Sequence, residues 1–236
     1  MRVALVSDLH YSPWKKQNFA KKTVHKLINL QPDLILIAGD LIAGEEKELA
    51  YLEPWKEITN KIPVYASLGN HEFNAHKADW PTPNLELAEK AREKLAEVGI
   101  TLLENKSQEI NVNEEKLYLI GLGDIWANEL NSEKAFKDLD FALPVITLAH
   151  NPDVLPKIIA AGFSPDLFLA GHTHGGQVRL PIFGPLGIIP TKLGQKFDKG
   201  WFDFQGVKMF ITSGLGETSS RIRFFNPPEI ALLTIH

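Results

Sequence analysis

The chain has 236 residues, a formal net charge of −4 and no cysteine. With 44% hydrophobic and 23% charged residues, its composition is that of a folded globular protein and excludes a disordered or collagen-like chain. Lysine and arginine are scattered along the chain, so the basic footprint of nucleic-acid-binding proteins is missing and we expect no nucleic acid partner. Because thiolates are absent, any bound metal must be held by oxygen and imidazole ligands.

The apolar stretches of the sequence are too short to cross a membrane. The first run is interrupted by Arg2 and ended by Asp8, and no later run approaches the ~18 apolar residues that a signal core or a membrane span requires. We therefore expect a cytoplasmic protein, with peripheral attachment to a membrane surface as the alternative.

Short runs rich in Val, Ile and Leu recur along the chain and predict buried strands. These runs are residues 3–6, 34–38, 64–68, 117–121, 145–149, 167–170 and 209–212. Between the early runs, apolar residues recur at steps of three and four amid Lys and Glu, which predicts amphipathic helices. These helices are predicted at residues 15–30, 45–60 and 85–98.

The alternation of strand and helix predicts parallel pairing with right-handed crossovers. The adjacent runs 109–112 and 116–120 predict an antiparallel addition to the sheet. The expected architecture is a layered α/β sandwich. The sequence has no repeat and no low-complexity linker, and the motifs described below come from both halves of the chain, so we expect residues 1–236 to form one domain.

Five of the predicted strands end at residues that can bind a metal. In chain order, the motifs are Ser7-Asp8-Leu9-His10, Gly39-Asp40, Gly69-Asn70-His71, Ala149-His150 and Gly171-His172-Thr173-His174. Because ligands bind beyond the carboxyl ends of parallel strands, we expect these five segments to converge in space.

The residue types in these motifs suit a cationic centre. Asp8 and His10 are two apart, so in extended chain they share one face and leave Leu9 toward the core. The carboxylate of Asp40 can bridge two divalent cations. Asn70 offers a neutral amide oxygen, which leaves the centre positive enough to attract a phosphate.

Each motif alone has a plain structural explanation, since Asp and His are common in strand-to-loop turns. The conjunction is harder to explain in that way, because five of the eight histidines lie in these motifs. The ordered set resembles the calcineurin-like metallophosphoesterase superfamily from Asp8 to His174. That resemblance implies a four-layer α/β/β/α sandwich with mixed sheets.

The resemblance also implies a site with two divalent metal ions. One ion would be held by Asp8, His10 and His174, a second by Asn70, His150 and His172, and Asp40 would bridge the two. The family typically uses manganese, iron, zinc or magnesium, and we expect manganese here, with the other three as alternatives.

The chemistry implied by the resemblance is phosphoester hydrolysis by a metal-bridging hydroxide. Two metals roughly 3.5 to 4 Å apart would hold this hydroxide for in-line attack on phosphorus. His71 is expected over the leaving group as general acid or charge stabiliser, oriented by Glu72. Glu72 and Ala43 stand where many relatives have Asp. We expect the longer Glu72 still to hydrogen-bond His71, and the loss of a carboxylate at Ala43 to alter the support of the ligands and hence the metal preference or the rate.

The segment 171–181 resembles one branch of the superfamily, which includes UDP-2,3-diacylglucosamine pyrophosphatases and related bacterial phosphodiesterases. Segments 149–153 and 223–229 fit the same branch. The resemblance implies a phosphodiester or pyrophosphate substrate, either a phosphorylated small molecule or a lipid-linked one. A protein phosphatase, a nuclease or a catalytically inactive metal-binding scaffold on the same fold are the alternatives. The acidic net charge argues against a nuclease. The full set of predicted ligands, together with His71, argues against an inactive scaffold.

The apolar segment 180–190 is followed by Lys192, Lys196 and Lys199. It is either a loop folded onto the core or a lipid-contacting lip through which the protein meets a membrane. Three arginines are candidates for clamping a phosphate, with a solvated surface position as the alternative. They are Arg179, Arg221 and Arg223. The other histidines, His25, His76 and His236, are assigned no chemistry, and the sequence predicts no oligomeric state.

Overall fold

The computed structural model describes residues 1–76 and 82–235, so His236 lies outside the described residues. The strands are β1 (Arg2–Val6), β2 (Leu34–Ala38), β3 (Val64–Ser67), β4 (Thr101–Leu102), β5 (Lys106–Val112), β6 (Glu115–Gly121), β7 (Val145–Leu148), β8 (Leu167–Ala170), β9 (Arg179–Leu180), β10 (Gly184–Pro185), β11 (Gly200–Phe204), β12 (Val207–Ile211) and β13 (Ala231–Thr234). All seven predicted strands are present within one or two residues of their expected ends.

The α-helices are α1 (Lys16–Leu30), α2 (Lys56–Thr59), α3 (Leu85–Glu97), α4 (Ser132–Ala135) and α5 (Val154–Ala160). The predictions of α1 and α3 are confirmed. The prediction of one long helix over 45–60 is wrong in type, because Glu46–Trp55 is a 3-10 helix and only one α-helical turn follows it. Pro54 lies at that junction and lacks the amide hydrogen that an α-helical ladder needs. Within the described residues, no helix is long and apolar enough to span a bilayer.

The strands form two mixed sheets. The first has the order β13-β1-β2-β3-β4, in which β1 to β4 are parallel and β13 pairs antiparallel with β1. The second has the order β11-β12-β8-β7-β6-β5, in which the four inner strands are parallel and both edges antiparallel. The expected parallel pairing and the antiparallel addition of β5 to β6 are both confirmed.

Alternation along the strands explains the layers. Val3 and Leu5 of β1 lie in the cluster between the sheets, where they meet residues such as Leu148 of β7. Ala4 and Val6, on the other face of β1, lie in the cluster under α1 and α3. A third cluster packs α4 and α5 on the outer face of the second sheet. Each fully buried Val, Leu or Ile stabilises the fold by about 1.5–3 kcal/mol. The layer order is therefore α/β/β/α, as expected.

Candidate metal centre

The carboxyl ends of β1, β2, β3, β7 and β8 meet at one end of the sandwich. The first group of side chains there is Asp8, His10 and His174, all buried. His10 Nε2 lies 3.1 Å from His174 Nε2, and His174 Nε2 lies 3.3 Å from Asp8 Oδ1. One ligand atom from each residue falls within a 4.8 Å cluster that could hold a metal ion.

A second group consists of Asn70, His150 and His172, which follow β3, β7 and β8. His150 Nε2 lies 3.2 Å from Asn70 Oδ1 and 3.0 Å from His172 Nδ1. The other ring nitrogen of His150, Nδ1, donates to the carbonyl of Ala38 at 2.8 Å. Since a carbonyl only accepts, that bond leaves Nε2 facing the group.

Asp40 lies between the two groups. Its Oδ2 is 3.6 Å from His10 Nε2 and 3.1 Å from His150 Nε2, and its side chain is buried. The same oxygen therefore faces both groups. All seven residues that the sequence singled out as metal ligands are brought together at this end of the sandwich.

The backbone at these residues is not the extended chain expected for Asp8 and His10. Their φ angles are 51° and 43°, which is the left-handed region. Asp40, His172 and His174 have φ angles of 54°, 70° and 51°. Left-handed turns at both Asp8 and His10 direct their side chains to one cluster, while Leu9 is buried as expected. Each such residue costs about 1–3 kcal/mol, and strain of this kind collects at functional sites.

Gly39 lets two of the ligand segments approach each other. Its φ is 73°, and a Cβ there would lie 2.7 Å from the backbone nitrogen of Gly69 and 2.8 Å from Cβ of His150. Only a residue without a side chain fits this position, because both its conformation and its space exclude a Cβ.

Glu72 supports the site in a way the sequence did not predict. Its buried carboxylate accepts hydrogen bonds from the backbone amides of Asp40 at 3.1 Å, Leu41 at 2.8 Å, Ile42 at 3.1 Å and Gly69 at 2.8 Å. These bonds use both oxygens, so the expectation that Glu72 orients the His71 ring is wrong. Glu72 instead ties the loop after β2 to the loop after β3.

The ring of His71 is held by a main-chain carbonyl. His71 Nδ1 donates to the carbonyl of Ala43 at 2.8 Å, so the backbone at position 43 supplies an acceptor despite the missing carboxylate. The amide of His71 donates to Asp40 Oδ1 at 3.0 Å. His71 Nε2 lies 4.0 Å from Asp40 Oδ2, and the residue lines the pocket above the cluster. His71 is thus beside the predicted ligands, as expected of a general acid.

Burial sets the protonation of most of the imidazoles. Burial, with the nearby His71, holds the pKa of His10 well below its usual range. Burial, with the nearby His150, does the same to the pKa of His172, and burial lowers the pKa of His174. These three rings are therefore neutral at neutral pH, which is the state that binds a metal.

His150 and Asp40 behave as an ion pair. Burial alone disfavours charge on both, yet the charge and hydrogen bond of Asp40 raise the pKa of His150 to about 10. His150 and His71 in turn hold the pKa of Asp40 well below its usual range. Burial, and then the Asp40 carboxylate, raise the pKa of Glu72 to about 7.

The donor set fits divalent cations. Metal–nitrogen bonds of about 2.0–2.1 Å place neighbouring ligand atoms roughly 3 Å apart, which is the spacing of the facing imidazole nitrogens, at 3.1 and 3.0 Å. In both contacts, the nitrogen of one imidazole ring faces the nitrogen of another. Imidazole with carboxylate and amide oxygen is a ligand mixture typical of manganese, iron and zinc.

Three residues near the cluster were missed or dismissed by sequence reasoning. The Trp126 ring packs edge-on against His172, with centroids 4.4 Å apart. Asp124 accepts from the amides of Trp126 and Ala127, and burial raises the pKa of Asp124 to about 6. His76 lines the pocket with its ring centroid 4.9 Å from that of His71. Nothing in the sequence around Trp126 distinguishes it, since its role depends on a long-range contact.

Of the three candidate arginines, Arg223 lies close enough to the cluster for its charge to contribute, after burial, to the lowered pKa of His174. Arg179 is paired with Asp198, and Arg223 donates to the carbonyls of Ser213 and Gly216. Both guanidinium groups are therefore held in place by contacts within the chain. Arg221 is exposed and stacks on Trp14, with its guanidinium carbon 3.6 Å from the ring centroid. His25 lies on exposed helix surface near Glu57.

The pocket above the cluster, which we call the metal pocket, has a volume of about 540 Å³. Among its lining residues are Asp40, Asn70, His71, Trp126, His172, His174, Gln177, Val178, Ile188, Pro190, Thr218, Ser219 and Ser220. One wall thus comes from the apolar segment 180–190 and another from residues 218–220. The pocket is large enough for a phosphate group with substituents on both sides.

Comparison with known proteins agrees with this geometry. Residues 1–176 match the calcineurin-like phosphoesterase family. The chain is 30% identical over 237 residues to phosphodiesterase YaeI of Escherichia coli (strain K12), covering 99% of this chain and 82% of that protein. It is 26% identical over 283 residues to the UDP-2,3-diacylglucosamine pyrophosphatase LpxG of Chlamydia muridarum, covering 99% and 83%.

Two solved structures share the fold. A phosphopantetheinyl hydrolase (PptH) from Mycobacterium tuberculosis superposes with a TM-score of 0.54 at 14% identity, over 90% of this chain and 89% of that one. A dimetal phosphatase from Danio rerio gives a TM-score of 0.52 at 13% identity, over 91% and 87%. The family match and the relatives together show that the chain belongs to the calcineurin-like phosphoesterase family and is a metal-dependent phosphoesterase.

Proposed function

We propose that this protein hydrolyses a phosphodiester or pyrophosphate bond with two divalent cations. One cation would be held by Asp8, His10 and His174, a second by Asn70, His150 and His172, and Asp40 would bridge them. The observation that carries the proposal is the position of Asp40 Oδ2, 3.6 Å from His10 Nε2 and 3.1 Å from His150 Nε2. We propose manganese as the metal, and one domain over residues 1–236.

Cations at this site would lower the pKa of a bound water and neutralise charge on the phosphoryl oxygens. The side chains of the protein would orient the ligand atoms and supply the proton. His150 is fixed through Ala38, and Asn70 through a hydrogen bond from its Nδ2 to the carbonyl of Ala75 at 2.7 Å. Because the Nδ1–H of His71 is bonded to the carbonyl of Ala43, its Nε2 is the nitrogen left to face the leaving oxygen, and it would give a proton to that oxygen from the imidazolium form of the ring.

The first experiment is a metal-reconstituted assay on bis-p-nitrophenyl phosphate. We expect turnover with at least one of Mn, Fe, Zn, Co and Mg. Failure with all five at full metal occupancy would support the inactive scaffold instead. A panel of UDP-diacylglucosamine, glycerophosphodiesters, cyclic nucleotides, a phosphopeptide and DNA then separates the lipid-linked substrate from the protein phosphatase and the nuclease.

We further propose a lipid-linked substrate, because an exposed apolar lip borders the metal pocket. Ile182, Phe183 and Ile188 are 101%, 83% and 91% exposed. The base of the lip is fixed, since the amide of Leu186 donates to the carbonyl of Val178 at 3.0 Å and the side chain of Ile189 is buried. Apolar side chains held in water on an anchored loop are typical of a surface that contacts lipid.

A second apolar segment lies beside the lip. The amide of Arg179 donates to the carbonyl of Phe224 at 2.9 Å, which places the exposed side chains of Ile222, Phe224 and Phe225 next to β9. Lys192 and Lys196 are exposed near the same edge. We propose that acyl chains lie against these apolar side chains while the lysines meet anionic headgroups, so that the protein binds peripherally to a membrane.

Co-sedimentation with anionic liposomes tests this contact. We expect the double variant Phe183→Asp, Ile188→Asp to lose most of its binding. The matched control, Phe141→Asp with Trp201→Asp, changes two exposed apolar side chains, 59% and 56% exposed, that belong to neither the metal pocket nor the lip, and it should bind as wild type does. Equal binding by all three proteins, with folding confirmed by circular dichroism, would refute the lipid contact.

A further inference from the structure

The segment 223–229 has no role in the chemistry described above, although its side chains reach the loops around the ligand cluster. It lies beyond residues 1–176, which match the family. None of its seven residues, all of which the structure describes, belongs to a helix or strand. Arg223, Asn226 and Glu229 nevertheless hydrogen-bond to distant parts of the chain. We call residues 223–229 the C-terminal clasp.

Asn226 of the clasp is 1% exposed and joins two partners. Its Nδ2 donates to the main-chain carbonyl of His174 at 2.6 Å, and its Oδ1 accepts from Lys199 Nζ at 2.7 Å. Because an ammonium group only donates and a carbonyl only accepts, these two partners fix which way the amide faces. Asn226 therefore makes a specific contact to the main chain of a predicted metal ligand.

The ring of His174 has no outer partner of its own. Its Nδ1 is buried without a hydrogen-bond partner within the described residues, so no bond on the far side of the ring orients Nε2. The backbone of His174 is left-handed, with a φ of 51°, and Gly175 follows with a φ of 57°. A strained turn of this kind persists only where surrounding contacts hold it. The position of the imidazole therefore depends on what holds the turn.

The clasp packs directly against this turn. A Cβ at Gly175 would lie 3.0 Å from Asn226 Nδ2 and 2.9 Å from Cδ of Lys199. The two side chains that meet at Oδ1 of Asn226 thus also enclose the turn from behind. Loss of the Asn226 side chain would free the carbonyl of His174 and leave space into which the turn can move.

The clasp also supports the segment behind Asp8. Arg223 donates to the carbonyl of Ser213 at 2.9 Å, and the Glu229 carboxylate accepts from the amide of Ser213 at 2.9 Å. In the same loop, the amide of Gly216 donates to the carbonyl of Asp8. The clasp therefore reaches two ligands of the first group of side chains, one directly and one through this loop.

The second group of side chains does not depend on the clasp. Within residues 1–76 and 82–235, no side chain of the clasp hydrogen-bonds to Asn70, His150 or His172. Asn70 and His150 are held instead by the carbonyls of Ala75 and Ala38. A change in the clasp should therefore affect one metal and spare the other.

We propose that Asn226 is a positioning residue for the metal of the first group, and that it acts through the main-chain carbonyl of His174. This inference rests on the ligand assignment of the proposed function. Bonds that orient metal ligands from outside change metal affinity by about 10–100-fold when they are lost. We expect loss of the Asn226 side chain to weaken one of the two metals by that factor.

Calorimetric titration of the metal-free protein with manganese gives a readout that needs no turnover. Asn226→Ala should raise one of the two dissociation constants about 10–100-fold and leave the other within about 2-fold. Asn226→Asp keeps the size and the Lys199 contact but cannot donate to the carbonyl, so it should behave as Asn226→Ala does. The matched control, Asn105→Ala, removes another buried amide, whose Nδ2 donates to the carbonyl of Glu129 at 2.6 Å. It should leave both constants within about 2-fold of wild type.

Double variants assign the weakened metal. Added to His150→Ala, in which only the first group keeps all its ligands, Asn226→Ala should weaken the remaining metal about 10–100-fold. Added to His10→Ala, it should leave the remaining metal within about 2-fold. The opposite pattern would overturn the proposal.

Lys199→Met tests the same contact without shortening Asn226. It keeps the aliphatic stem of Lys199 and removes the donor that holds Asn226 Oδ1, so it should raise the same constant by about 10-fold. If Asn226→Ala does not fold, this variant decides the question.

The outcomes separate this role from the proposed function. Selective weakening of one metal in a protein that hydrolyses nothing would support the positioning role and refute the proposed function alone. Turnover with wild-type metal affinities in both Asn226→Ala and Lys199→Met would refute the positioning role alone. Equal weakening of both metals would also overturn it, because a general loss of structure affects both groups alike.

Discussion

The two halves of the ligand cluster differ in how their side chains are held. In the half with Asn70, His150 and His172, the side chains of Asn70 and His150 bond to main-chain carbonyls, which fixes the atoms that face the cluster. The Nε2 of His172 is buried without a hydrogen-bond partner within the described residues. In the half with His10 and His174, the far ring nitrogens are buried and have no hydrogen-bond partner within the described residues. Since such outer bonds orient metal ligands and raise affinity, we expect the half with His150, which has two of them, to bind its metal more tightly.

Removing Asp40, which joins the halves, should have the largest effect. Asp40→Asn keeps the shape but loses the charge that faces both His10 and His150. We expect the metal content of this variant to fall from two ions per chain to one or fewer. We also expect kcat to fall about 10³-fold or more, because two-metal chemistry needs both ions. Metal analysis with steady-state kinetics measures both. Two metals and normal turnover in this variant would show that Asp40 does not bridge.

Removing His71 should leave both halves intact and stop the reaction. We expect His71→Ala to lower kcat about 10²–10⁴-fold, the range for loss of a general acid, while binding two metals as wild type does. His25→Ala, a change of an exposed helix residue, is the control. If His71→Ala lost a metal, His71 would be a ligand and its assignment to the leaving group would be wrong.

Glu72 ties the loop that carries Asp40 to the loop that carries Asn70. Glu72→Gln should therefore weaken the contact between these two loops. Each oxygen of Glu72 accepts from two backbone amides. The amide nitrogen of Gln cannot accept, which leaves two buried backbone N–H groups unpaired at about 1–3 kcal/mol each. We expect the free energy of unfolding to fall by about 2–4 kcal/mol.

Chemical denaturation measures this change, with Glu93→Gln, an exposed position on α3, as the control. The control should stay within about 0.5 kcal/mol of wild type. A Glu72→Gln protein as stable as that control would contradict the bracing role of the four amide bonds.

The smallest effect is the difference in affinity between the two halves themselves. Outer hydrogen bonds to metal ligands change affinity by about 10–100-fold, so a chelator should remove the metal of the His10 half first. Release followed in wild type, His10→Ala and His150→Ala assigns each step. We expect His10→Ala to abolish the release of the more weakly bound metal, and His150→Ala to abolish the release of the more tightly bound one. Simultaneous release in wild type would remove the proposed asymmetry.

The position of the site could be predicted from the sequence because the ligands follow strands, and strand ends meet wherever parallel strands pack. Asp8, Asp40, Asn70, His150 and His172 therefore came together as expected. Their backbone geometry could not be predicted in the same way, since the left-handed turns at Asp8 and His10 depend on packing against other loops.

Contacts between segments distant in sequence also could not be predicted. Trp126 contacts His172 across 46 positions of the chain, and no local pattern marks that pair. The short helices α4 and α5 also escaped prediction, because four and seven residues are too few to show a helical period. For the segment 180–190, composition suited both a core loop and a lip, and the exposure of Phe183 and Ile188 could be seen only in the structure.

The most direct test of the two-metal centre is anomalous X-ray diffraction from crystals of manganese-loaded protein. We expect two anomalous peaks roughly 3.5 to 4 Å apart, one beside Asp8, His10 and His174 and the other beside Asn70, His150 and His172, with Asp40 between them. A single peak at full manganese occupancy, or peaks away from Asp40, would contradict the account.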